Sequence, residues 1–280
     1  MKELWSPADE RAVEAFVEAV RAEDLVGALH AIEGSPEKTL RADVKTLEAF
    51  AARVAARIAE GSTAFLQARA LADVLGGEEG FAGDEDDYYH PDNCLLHAVL
   101  ERRRGMPILL SAVWVEVGKR AGLQVDGVGM PGHFIVRVGT GSGVLVDPFG
   151  GGTRLTVDDC RRKVQSMSEG KLRWRAEFLR PTGVAVIAER VLHNLAGCYG
   201  RAQDEAGRFR VLTFLSALRP DEPENFLQRA EVAEELGVRD LAQRVYAEIV
   251  ERFPETQQAQ TAIDRLADGD GGGIPTPVVN

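Results

Sequence analysis

The stretch "GMPGHFIVRVGTGSGVLVDPFGGG", Gly129–Gly152, decides the fold. Two β-branched runs, "HFIVRVG" and "GVLVDPF", flank "GTGSG" at Gly139–Gly143, whose composition is that of a hairpin turn. The first run carries His133, one of five histidines, and the second carries Asp147. A histidine and an aspartate on neighbouring strands suit a Cys–His–Asp site, where the carboxylate orients the imidazole and the imidazole relays a proton. The spacing therefore predicts adjacent antiparallel strands, with a ring nitrogen of His133 within hydrogen-bond reach of Asp147.

Upstream, "QVDGVGM" is a third short strand. Before it, "ILLSAVWVEVGKRAGL" reads as a buried central helix over about 108–121, with Pro107 early in its first turn and Gly122 as its stop. A preceding helix starts at Asp92 or Asn93, faces Leu95, Leu96, Val99 and Leu100 inward, and ends at Gly105. Before that, "GGEEGFAGDEDDYYHPDN" is an acidic, glycine-rich loop. Residues 5–78 are helical by periodicity, with helices from Pro7, over 43–60 and over 64–75, the last stopped by Gly76 and Gly77. Helices feeding a small antiparallel sheet make the fold class α+β.

The last third is helical and carries an internal repeat. "ERVLHNLAGCYG" from Glu189 and "PENFLQRAEVAEELG" from Pro223 align, pairing Leu192 with Phe226, Ala196 with Ala230, Leu212 with Tyr246, Leu215 with Ile249 and Pro220 with Pro254. An offset of about 34 residues is the period of a tetratricopeptide repeat, a helix hairpin that buries its face on its neighbour. Two copies are too few for a solenoid and are expected to dock on the preceding domain. The organisation is 1–180 for the helical region and core, 185–267 for the repeat-like helices, and 268–280 for a tail expected to be disordered.

The chain has 280 residues, 33 Lys+Arg against 44 Asp+Glu and a net charge of −11, which disfavours nucleic acid as a general partner. The dense basic runs, "ERRRG" at 101–105 and "CRRK" at 160–163, read as solvated helix faces. No apolar run has the ~18 residues that spanning a membrane takes, and the charged N-terminus lacks a signal peptide's apolar core, so neither a membrane partner nor export is expected. Three cysteines, without CxxC spacing, fit a cytoplasmic protein. A metal set drawn from His90, Asp92, His97 and His133 is disfavoured, because His90 and His97 lack helical ligand spacing and HExxH is absent. No cofactor is expected.

The run from Asn93 to Gly152, with "NCLLHAVLERRRGMPILLSAVWVEVGKRAGL" followed by the two strands, resembles the transglutaminase-like core of bacterial SirB-type proteins, in which such a core precedes tetratricopeptide-like helices. The resemblance covers about 40–265. It implies a papain-like core with His133 and Asp147 as its histidine and aspartate. Enzymatic members carry Gly-x-Cys at the start of the central helix; here the glycine falls on Gly105 and the cysteine on Pro107, a trait SirB-type proteins share. Proline has no attacking group. Cys94, at a helix start, and Ser111, one turn beyond Pro107, are the substitute nucleophiles available.

Two functions stay open. One is a non-enzymatic transglutaminase-like module binding a protein or peptide ligand in a cleft lined by Pro107, Trp114, Phe134 and Phe149. The other is an acyl-transfer enzyme using His133 and Asp147 with an unorthodox nucleophile.

Overall fold

A computed structural model describes residues 5–269. They fall into two compact units: Ala8–Asn194, and the described parts of Met1–Pro7 and Leu195–Asn280.

In the first unit, α1 (Pro7–Arg21) begins where its proline predicts. A second helix, α2 (Leu25–Glu33), is capped by Asp24, whose carboxylate accepts the Gly27 N–H at 3.0 Å. It buries six of its nine residues, so its pattern is too uniformly apolar to show a helical period. α3 (Glu37–Ala55) starts directly after Pro36, earlier than the expected 43. α4 (Ala64–Leu71) passes into a π-helical turn, Ala72–Glu78, so the glycine pair does not stop it. Gly76 is there for space: a Cβ on it would lie 2.0 Å from the Gly151 carbonyl oxygen.

The helix expected from Asp92 is also different. Pro91–Cys94 forms a 3-10 turn, and α5 runs over Leu96–Arg102. Asn93 is spent on the loop instead of a cap. Its amide donates to the carbonyls of Asp87 (2.7 Å) and Tyr88 (3.2 Å), and its oxygen accepts from Arg102 (3.0 Å). α6 (Pro107–Arg120) is the central helix, buried continuously from Pro107 to Val115.

Two short strands, β1 (Ala82–Gly83) and β2 (Arg104–Gly105), pair in parallel and pin the acidic loop. The main sheet contains β3 (Val125–Met130), β4 (His133–Val138), β5 (Val144–Asp147), β6 (Thr153–Leu155) and β7 (Pro181–Thr182). Its order is β6-β5-β4-β3-β7 and every pair is antiparallel. α6 covers one face. On the other, Val128, Met130, Ile135 and Leu145 pack with Cys160 and Val164 of α7 (Val157–Met167), flanked by Trp174 and Phe178. The fold is α+β, as the sequence implied.

α8 (Val184–Ala202) crosses the boundary between the units. In the second unit, α9 (Glu205–Leu218), α10 (Pro223–Glu235), α11 (Arg239–Arg252) and α12 (Gln257–Gly269) pack each on the next. α11 starts and ends 34 residues after α9, in step with the repeat. Leu212, Leu215, Phe226, Ala230, Tyr246 and Ile249 are all buried. The tail after residue 269 lies outside the described residues. Among the described residues no helix is long and apolar enough to cross a membrane.

Candidate functional site

His133 opens β4 and Asp147 ends β5. Val136 pairs with Val146, which places His133 and Asp147 diagonally on one face of the sheet. Nε2 of His133 lies 3.0 Å from both carboxylate oxygens of Asp147, as the strand spacing predicted. The pair is deeply buried, His133 at 4% and Asp147 at 2% exposure. Asp147 also accepts the Phe149 N–H at 3.1 Å and pairs with Lys163 Nζ at 3.0 Å. Burial is the largest influence on its acidity and opposes ionisation. The hydrogen bond from His133 and the charges of His133 and Lys163 outweigh burial and hold the carboxyl below its ordinary value. Asp147 is thus a fixed anion, and Nε2 carries the proton it donates.

A cavity of about 390 Å³ opens over this pair, lined by Glu85, Tyr88, Pro107, His133, Asp147, Phe149, Gly150, Lys163, Ser166 and Met167. Pro107, at the first position of α6, stands where the resemblance puts the nucleophile, and it shares the cavity with the histidine and the aspartate. Nδ1 of His133 is buried and has no hydrogen-bond partner among the described residues. Phe149 meets the imidazole edge to face at 6.0 Å. Gly83 lets that ring in: a Cβ there would lie 2.3 Å from it.

The substitute nucleophiles are elsewhere. Cys94 is buried, and its Sγ lies 3.2 Å from Met106 Sδ. Ser111 is fully buried and donates to the Phe134 carbonyl at 3.3 Å, neither facing the cavity nor bonding four residues back. Cys160 is on the side of α7 that packs against the sheet, where burial pushes its thiol up to about 11 and makes it a poor thiolate. Trp114 and Phe134, expected in the cleft, belong to the core instead, at 0% and 1% exposure. Trp114 lies seven residues beyond Pro107, about 10 Å further along the helix axis. Phe134 follows His133 in a strand and so points to the opposite face, where the guanidinium of Arg190 sits over its ring at 5.2 Å. Among the described residues no group of three or more His, Cys, Asp or Glu side chains is arranged to hold a metal ion.

Two residues that sequence reasoning passed over support the histidine. Lys163 belongs to "CRRK", where a charge run reads as solvent-facing. The sequence does mark the start of α7 by a capping box: Thr156 Oγ1 accepts the Asp159 N–H at 3.1 Å while Asp159 accepts the Thr156 N–H at 2.7 Å. Arg190 of α8 donates to the carbonyls of Met130 (3.0 Å) and His133 (3.4 Å), fixing the turn into β4.

Residues 42–193 match the transglutaminase-like superfamily. A UPF0162 protein of Xylella fastidiosa is 33% identical over 201 residues, 70% of this chain and 72% of that protein. A UPF0162 protein of Pseudomonas aeruginosa is 30% identical over 177 residues, 63% of each. F-box only protein 21 of Mus musculus is 34% identical over 96 residues, 31% of this chain and 15% of that protein. No solved structure matches. The match across the central helix, the His133 strand and the Asp147 strand, together with a UPF0162 relative aligned over most of its length, shows that the chain belongs to the transglutaminase-like superfamily.

Proposed function

We propose that the protein is a SirB-type transglutaminase-like module that has kept the proton relay of an acyl-transfer site, has lost its nucleophile, and binds a peptide or protein segment in the cleft over His133. One observation carries this reading: Pro107 occupies the first turn of α6 in the same cavity as the His133–Asp147 pair, while the buried Nδ1 of His133 has no partner among the described residues. In a working site of this type that second nitrogen faces the thiol. The helices α8 to α11 are a tetratricopeptide-like pair of hairpins that adds a second peptide-binding surface. The 34-residue offset between α9 and α11 supports this.

A rival reading, serine-dependent acyl transfer, rests on Ser166, which lines the same cavity one helical turn after Lys163. Cys94 and Ser111 lend it nothing, since neither lines the cavity.

Labelling separates the two. The full chain is treated with iodoacetamide and with a serine-directed fluorophosphonate, and labelled sites are mapped by mass spectrometry. The expected result is no labelling that His133→Ala abolishes. Pro107→Cys serves as the positive control. A thiol there should alkylate at pH 6 about tenfold faster than in the Pro107→Cys/His133→Ala background, because a neighbouring imidazole lowers a thiol's pKa by units. His133-dependent labelling of Ser166 or Cys94 in the unmodified sequence would establish the enzyme reading instead.

A further inference from the structure

α7 and the segment after it are basic in an acidic chain. Residues 160–180 hold seven of the 33 Lys+Arg and two of the 44 Asp+Glu, which leaves 26 against 42 elsewhere. Arg161 and Arg162 of "CRRK" are exposed, as a solvated helix face should be. The fold gives that face a neighbour. Residues 171–175 form neither helix nor strand, yet they are tied down at Trp174. Its ring packs against the cluster that holds Cys160 and Val164, and meets Phe178 edge to face at 5.9 Å. The guanidinium of Arg161 sits over the same ring at 5.9 Å. With Trp174 turned inward, an extended chain sends its two neighbours outward, and Arg173 and Arg175 are both exposed. Three arginines thus surround one anchored tryptophan.

Their charges are open to a ligand. Neither the Arg173 nor the Arg175 guanidinium has an ion pair or hydrogen bond among the described residues. Arg161 pairs with Asp158 at 2.9 Å, one turn away, and Lys171 pairs with Glu169 at 2.6 Å. Both pairs are exposed, so they are weak and can exchange for another carboxylate. Leu172, 44% exposed, sets an apolar side chain among these cations. A guanidinium binds carboxylate or phosphate through parallel N–H groups, so the extent of the surface decides between them. Five residues span at most about 17 Å, room for a few residues of extended peptide. A nucleic acid carries its charge along its whole length and would run onto the acidic remainder of the chain. An anionic bilayer is wider still. A short acidic peptide ends where the patch ends, and it can offer Leu172 an apolar contact that a free phosphate lacks.

We propose that the arginines around Trp174 form a docking surface for a short acidic segment of a partner protein, its Asp or Glu carboxylates on Arg161, Arg173 and Arg175 and an apolar side chain against Leu172. The surface is separate from the cleft and does not depend on what the His133 site does.

The test uses the full chain and three rhodamine-labelled dodecapeptides of serine and glycine around a central leucine, carrying four glutamates, four glutamines or four lysines. Binding is read by fluorescence polarisation at about 50 mM salt. The glutamate peptide should bind about tenfold or more tighter than the glutamine peptide, and the difference should shrink as salt is raised. Arg173→Gln/Arg175→Gln should weaken it about tenfold, the combined loss of two exposed charge pairs at the upper end of their range. Arg41→Gln/Lys45→Gln removes the same charge from exposed positions of α3, which packs on α6 across the sheet from α7. It should leave binding within about twofold, since distant exposed charges are screened. Arg173→Glu/Arg175→Glu should turn the preference to the lysine peptide. Equal binding of the glutamate and glutamine peptides, equal loss from the α3 variant, or no binding of any peptide would overturn the assignment. So would tighter binding of a thymidine dodecanucleotide or of phosphatidylserine vesicles that depends on Arg173 and Arg175.

Discussion

Asp147→Ala should lower the unfolding free energy by about 3 kcal/mol or more, the range found when one member of a buried charged pair is removed. Three groups lose their acceptor at once: His133 Nε2, the Phe149 N–H and Lys163 Nζ. The first is nearly solvent-free, so its unmet donor bears a full desolvation cost. Lys163 is different, because its side chain is 38% exposed and can turn to water. Hence Lys163→Met should cost under about 1 kcal/mol, as for exposed ion pairs. In the Asp147→Ala background it should cost still less. Urea unfolding of the four chains of this cycle measures the coupling. An Asp147→Ala change below about 1 kcal/mol would show that the carboxylate is a spectator, in conflict with the fixed-anion argument.

The parts of this site that were legible in the sequence are those governed by short-range rules. A period of two and a glycine-rich turn put His133 and Asp147 on adjacent strands and one face, and the geometry follows. A proline followed by an apolar run placed α6 and left Pro107 at its mouth. The errors came from applying a neighbourhood in sequence where a direction in space was needed. Phe134 adjoins His133 in the chain and so faces away from it, while Trp114 shares a helix with Pro107 but stands two turns deeper. Lys163 and Arg190 were invisible for another reason. Each reaches the site from a helix distant in sequence, and nothing local distinguishes a lysine in "CRRK" that bonds a buried aspartate from one that bonds water. Cys94 looked like a helix N-terminus because Asn93 looked like a cap, but Asn93 ties down Asp87 and Tyr88, and the helix starts after it.

The second large effect concerns pH. Glu33 at the end of α2 accepts the His97 N–H at 2.9 Å. Beside it, Asp43, 5% exposed, lies 2.8 Å from Nδ1 of His97. Burial first, then the charge of Asp43, pushes the carboxyl of Glu33 up to about 7 from 4.5, against the opposing hydrogen bond from His97. The hydrogen bond to Asp43 is the largest influence on His97, and with the nearby carboxylates it raises the imidazole above its ordinary value. Both groups hold protons more tightly folded than unfolded. Their contribution to stability is complete below pH 4.5 for Glu33 and below 6.5 for His97, and it is lost as pH rises through the folded values. Asp147 has the opposite sign. Its carboxyl is depressed, so its contribution is present above 3.8 and is lost in acid. The protein should therefore resist urea better near pH 5 than near pH 8. Glu33→Gln keeps an oxygen for the His97 N–H and removes the titration. It should be close to neutral at pH 4.5 and stabilise by up to about 3 kcal/mol at pH 8, the free-energy equivalent of the raised carboxyl. His97 then leaves a smaller slope of the same sign above about pH 6.5, the ordinary value of an imidazole. A Glu33→Gln variant that tracks the parent's urea midpoint from pH 4.5 to 8 would show that Glu33 titrates in the fold as it does in the unfolded chain.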